Sequence, residues 1–119
     1  MARYVDGFVL PIPRRKLAAY RRIARKASKV WRDHGALEYV ECAGDDLHPK
    51  GAYPFTRQAR CKPGETVVFA YIVYRSRAHR DRVNAKVMKD ERITGMNPED
   101  VPVEMRRMAY GGFKVIVQA

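Results

Sequence analysis

A chain of 119 residues with 24 Lys and Arg against 13 Asp and Glu, a formal net charge of +11, is long enough to bury a core as one domain without metal or disulfide staples. At 46% hydrophobic residues it is no disordered basic tail, and no apolar run reaches the roughly eighteen residues that a membrane span needs. Cys42 and Cys61 are the only cysteines and sit in no C-x-x-C spacing, so they read as free thiols of a reducing cytoplasm and not as zinc or iron–sulfur ligands.

The N-terminal MARYVDGFVLPIP lacks a charged segment followed by a long apolar run, so it reads as mature sequence. Within it, Tyr4 to Leu10 is β-rich and bounded by Pro11 and Pro13, which predicts a strand. A helix follows from Pro13 or Arg14 to His34. Its stripe of Leu17, Tyr20, Ala24, Ala27, Trp31 and His34 recurs at three- and four-residue steps, and Gly35 is a natural stop. Ala36 to Cys42 reads as a second strand ending at the turn-prone AGDD, before an irregular segment with Pro49, Gly51 and Pro54.

Phe55 to Cys61 and Thr66 to Tyr74 flank KPGE, whose Pro63 and Gly64 suit the centre of a type II turn, so a hairpin is expected there. TVVFAYIVY is apolar on both faces, as a doubly buried strand should be. Ser76 can cap a second helix to about Lys89 with Ala78, Val83, Val87 and Met88 inward, and Asn97-Pro98 marks a short helical turn. The last strand spans about Ala109 to Gln118 and contains Gly111-Gly112, where a bulge is expected in preference to room for a ligand.

This order predicts an α+β fold: a ferredoxin-like sandwich with an antiparallel sheet, two helices on one face and a hairpin insertion. The sheet's second face is too apolar to stay open and the chain has no spare element for it, so a homodimer packed through its sheets is expected.

The blocks YVDGFVLPIP, WRDHGALEYVECAGDD, KPGETVVFAYIVYRSRAHRDRVNAKVM and RRMAYGGF resemble the YbaA-like family of small bacterial proteins of unknown function over nearly the full length. The resemblance implies membership of the dimeric α+β barrel superfamily and a small-molecule cavity, and carries over no catalytic residues. Two other functions stay open beside ligand binding. One is a cofactor-independent enzyme of monooxygenase or isomerase type with Asp6 or Glu38 as base. The other is non-specific polyanion binding.

The residues themselves narrow the sites. The first helix carries Arg14, Arg15, Lys16, Arg21, Arg22, Arg25, Lys26, Lys29 and Arg32 against Asp33. Without a helix-turn-helix, RNP-type strand or GxxG loop this is a solvated face, and no specific nucleic acid and no membrane partner are expected. Asp6 lies mid-strand, so it is either paired with an Arg or raised in pKa as a possible base; the ion pair is favoured. Trp31, Tyr71, Tyr74 and Tyr110 suit a cavity between helices and sheet or simple core packing, and His79, expected at the surface, lies a turn from Arg82. Asp6, Glu38, Tyr71 and Arg82 are the predicted ligand-binding groups. No cofactor is expected: none of His34, His48 and His79 is marked as a haem ligand, no metal cluster survives among residues 34–48, and Cys42 reads as an inert thiol.

Overall fold

Strand β1 spans Tyr4–Pro13, three residues beyond its predicted end, and passes through both prolines. The hydrogen-bond register explains why the prolines are tolerated. Val115 donates its N–H to the Arg3 carbonyl, so odd-numbered residues of β1 turn their backbone toward β4 (Ala109–Lys114). Pairing with β4 stops at Val9↔Ala109, so the missing N–H groups of Pro11 and Pro13 face a side where β4 has already ended. The structure, a computed structural model, describes residues 3–119.

A 3-10 turn at Arg14–Lys16 leads into α1 (Leu17–Asp33), which His34 caps and Gly35 ends at a φ of +112°, a left-handed conformation that suits glycine. Strand β2 is Glu38–Ala43 and β3 is Glu65–Tyr74. Glu65 N–H donates to the Lys62 carbonyl across the expected Pro63-Gly64 turn. Helix α3 (Arg77–Val87) begins on Ser76, whose hydroxyl accepts from the His79 N–H. The sheet order is β2-β3-β1-β4, all antiparallel, with α1 linking β1 to β2 and α3 leading from β3 toward β4.

Both long helices pack on one sheet face. Val30 of α1 and Val83 and Val87 of α3 close on Tyr4, Ile72 and Tyr74, and a second cluster gathers Leu10, Ile12 and Val68 under Leu17 and Tyr20. The opposite face presents Val5, Gly7 and Val9 beside Val73, Tyr71 and Phe69, flanked by Val40 and Phe113. Phe69 is 45% exposed and Phe113 61%, so this apolar face stands open in the single chain.

Four expectations need correction. Phe55–Gln58 is a single helical turn, α2, and not a hairpin arm: Pro54 precedes it in extended conformation, and both sides of β3 are already taken by β2 and β1. In α3 the inward residues are His79, Val83 and Val87, whereas Ala78 and Met88 are exposed. The last strand stops at Lys114. Gly111 and Gly112 keep a regular register with Gly7 and Asp6, so no bulge forms. A one-turn helix α4 (Glu91–Thr94), capped by Asp90, was not foreseen.

Candidate functional site

Asp6 is 1% exposed and lies on the helix-covered face, under α3. Its Oδ1 stands 3.3 Å from Arg80 Nη1, a charge contact without a well-formed hydrogen bond. Arg80 also donates to the Tyr110 hydroxyl (2.8 Å) and the Tyr4 hydroxyl (3.3 Å), and stacks over the Tyr4 ring at 5.1 Å. Asn84 joins the group from the next turn of α3. Its Oδ1 accepts from Trp31 Nε1 (3.0 Å) and Tyr74 (3.2 Å), and its amide reaches Asp6 Oδ2 at 3.5 Å.

Burial pushes the Asp6 carboxyl above its ordinary range, and Arg80, Tyr74, Asn84 and Tyr110 pull it back only in part. The favoured reading of Asp6 as an Arg partner therefore holds, and the raised pKa coexists with it. Gly112 belongs to the same arrangement: a Cβ there would lie 2.2 Å from the Tyr4 hydroxyl, so the glycine makes room for a tyrosine and not for a ligand.

The four predicted binding residues do not converge. Tyr71 pairs with Gly7 and Glu38 with Val73, which places both on the open face, opposite Asp6. Arg82 is exposed on α3, and the arginine that meets Asp6 is Arg80. His79, expected at the surface, is 4% exposed. Its Nδ1 accepts from the Arg75 N–H at 2.9 Å, and burial lowers its pKa, so the imidazole is neutral and structural.

Glu41, and neither Asp6 nor Glu38, faces the larger cavity. A cleft of about 710 Å³ opens between α1 and the β2 edge of the sheet, lined by Leu17, Tyr20, Arg21, Ala24, Arg25 and Ser28 of α1 and by Tyr39, Glu41, Cys42 and Ala43 of β2. Glu41 accepts from Tyr20 at Oε1 and from Tyr39 at Oε2 (2.8 Å), so a half-buried carboxylate ties helix to sheet across the cleft floor. Burial, reinforced by the Glu41 charge, raises both phenols well above their usual range and keeps them protonated donors. A smaller cleft of about 360 Å³ lies by Pro11, Pro13, Glu65, Val103 and Arg107. Asp6 lines neither cleft.

Strand alternation puts Glu38 and Glu41 on opposite sheet faces without saying which is covered; the register and the docking of Tyr20 show that the Glu41 face lies under α1 and is hollow at β2. Among the described residues, no group of three or more His, Cys, Asp or Glu is placed to hold a metal, and no helix is long and apolar enough to cross a membrane. The basic residues Arg21, Arg22, Arg25, Lys26 and Lys29 stand exposed along α1.

A family model described as a protein of unknown function, DUF1428, matches residues 3–105. The uncharacterized protein YbaA of Escherichia coli strain K12 is 39% identical over 115 residues, covering 97% of this chain and 97% of that protein. YbaA of Shigella flexneri matches to the same extent, 39% over 115 residues with 97% of each chain covered. Among solved structures, the de novo designed protein Foldit4 aligns with 98% of this chain and 99% of its own at a TM-score of 0.44 and 8% identity, a likeness too loose to bear an argument.

Proposed function

The chain belongs to the DUF1428 family of proteins of unknown function, of which YbaA is a relative, and from that premise we propose a homodimeric α+β barrel protein that binds a small molecule in the cleft between α1 and β2. The strand order β2-β3-β1-β4 with helical crossovers is that of a ferredoxin-like sandwich, which supports the barrel half of the reading. The exposed Phe69 and Phe113 on the uncovered sheet face support a second copy packed there. Two thiols left free, Cys42 and Cys61, fit a cytoplasmic setting.

The observation that carries the ligand half is Glu41 in the cleft wall, fixed by two tyrosines from opposite sides. A cleft of a few hundred cubic ångströms, mainly apolar with a few convergent polar groups, is the usual form of a small-molecule site. Binding is favoured over catalysis because both Glu41 oxygens already accept from tyrosines, Glu65 in the smaller cleft is held by Arg107, and Asp6 reaches neither cleft.

The test is a fragment screen on isotope-labelled protein by NMR. Amide perturbations are expected to cluster on Ala18, Ala24, Ser28 and Glu41. Perturbations scattered over the surface, or confined to the open sheet face, would overturn the cleft as the site.

A further inference from the structure

We propose that the cleft selects small zwitterions: a primary ammonium seated on Glu41, an anionic carboxylate or phosphate held by Arg21 and Arg25, and an apolar middle between them. This rests on the cleft being the binding site, and adds to it the ligand's charge pattern.

Glu41 keeps acceptor capacity to spare. A carboxylate has about four acceptor positions, and Tyr20 and Tyr39 occupy one on each oxygen. Both phenols spend their protons on Glu41, and their raised pKa values keep them neutral. The cleft floor therefore presents remaining acceptor lone pairs and a full negative charge. An anion or a neutral acceptor finds nothing to bind there; a charged donor does. An ammonium, with three donors, complements it best.

The α1 side of the cleft has the reverse character. Arg21 and Arg25 are one turn apart on α1, exposed, and both line the cleft. Among the described residues, neither side chain enters an ion pair or a side-chain hydrogen bond, whereas Arg80, Arg92 and Arg107 are all engaged by carboxylates. Two uncommitted guanidiniums on one helix face form a fork suited to a carboxylate or phosphate. Leu17, Ala24 and Val68 supply apolar surface in the same lining. Charge of opposite sign at the two ends gives orientation as well as affinity, since a reversed ligand meets repulsion at both.

The experiment screens a fragment library sorted by charge, in matched sets such as phenylalanine, phenethylamine, 3-phenylpropionate and phenylethanol, by NMR on the wild type, on Glu41→Gln and on the double variant Arg21→Ala/Arg25→Ala. Zwitterions are expected to perturb the cleft amides about tenfold more tightly than their matched amines or acids. Glu41→Gln should weaken zwitterions and amines about tenfold and leave acids unchanged, while the arginine variant does the converse. Arg21→Lys/Arg25→Lys, which keeps the charge, restores part of the anion preference; a dispersed amide spectrum confirms that each variant is folded. Cleft hits dominated by acids or neutrals, or a ranking indifferent to Glu41→Gln, overturn the zwitterion while the cleft stands. An absence of cleft hits in every class overturns both.

Discussion

Arg80 Nη1 stands 3.3 Å from Asp6 Oδ1, and with Asp6 only 1% exposed this guanidinium is the main counter-charge of a carboxyl sealed under α3. Arg80→Met leaves that carboxyl uncompensated and should cost about 3–5 kcal/mol at neutral pH, whereas Asp6→Leu/Arg80→Met should come close to wild type. The pH dependence has a definite sign. Because burial holds the folded carboxyl above its ordinary 3.8, its contribution to stability is full below 3.8 and declines as pH rises through the raised value. Without Arg80 that value climbs further, so the deficit should grow from acid to neutral pH. Urea midpoints at both ends check this; an equal deficit at both contradicts it.

Tyr20, Tyr39 and Tyr74 are each raised above the usual phenol range, first by burial and then by a carboxylate, Glu41 for the first two and Asp6 for the third. In an ultraviolet titration these three should remain protonated after the exposed tyrosines ionise. Glu41→Gln should bring two of them down and leave the third. Stability tied to them is full below 10 and lost as pH climbs through the raised values. Tyr20→Phe removes a hydrogen bond to a charged acceptor and should cost about 1.5–3 kcal/mol.

Glu65 receives both Nη groups of Arg107 at 2.8 Å, and Lys62 N–H at 2.7 Å, which hold its carboxyl down to about 2 from 4.5. Its contribution is therefore present above 4.5 and lost as pH falls toward 2. Glu65→Gln should flatten the acid limb of the stability curve across that window. An unchanged limb would assign acid unfolding to other carboxylates.

Gly111 and Gly112 should differ sharply on substitution. A Cβ on Gly112 meets the Tyr4 hydroxyl at 2.2 Å and ring carbons at 2.8 Å, so Gly112→Ala should cost about 1–3 kcal/mol by overpacking. At Gly111 the nearest atoms are those of Phe113 at 3.8 Å, and Gly111→Ala should be near neutral. Thermal melts compare the two.

Phe69→Glu places a charge on the open sheet face. If a second copy covers it, association should weaken about thirtyfold or more with the circular dichroism unchanged. Sedimentation equilibrium reads the result, and a wild-type monomer at micromolar concentration would remove the dimer.

Most of the scaffold was legible because its signals are local. Gly35, Ser76, Asn97-Pro98 and Pro63-Gly64 act within a turn of themselves, and the doubly apolar TVVFAYIVY announces a central strand. Phe55–Cys61 misled because a short β-prone run is judged by its partners, and β3 had none to spare. The site was less legible. Alternation correctly separated Glu38 from Glu41, but which of them meets a cavity depends on how α1 docks, a long-range fact. Likewise Asp6 called for an arginine, yet several on α3 qualified. Arg80 sits one turn from Asn84 beneath the sheet, whereas Arg82 points to solvent, and helical phase over so short a segment did not decide between them.

Where β1 outruns β4, its backbone presents Pro11 and Pro13 in place of two successive donors. A strand added along that margin would lack the hydrogen bonds that hold a strand in place. Pro11 is buried and residues 101–107 lie against this margin, so the prolines end the ladder where the chain covers its own sheet edge with side chains and without a further strand.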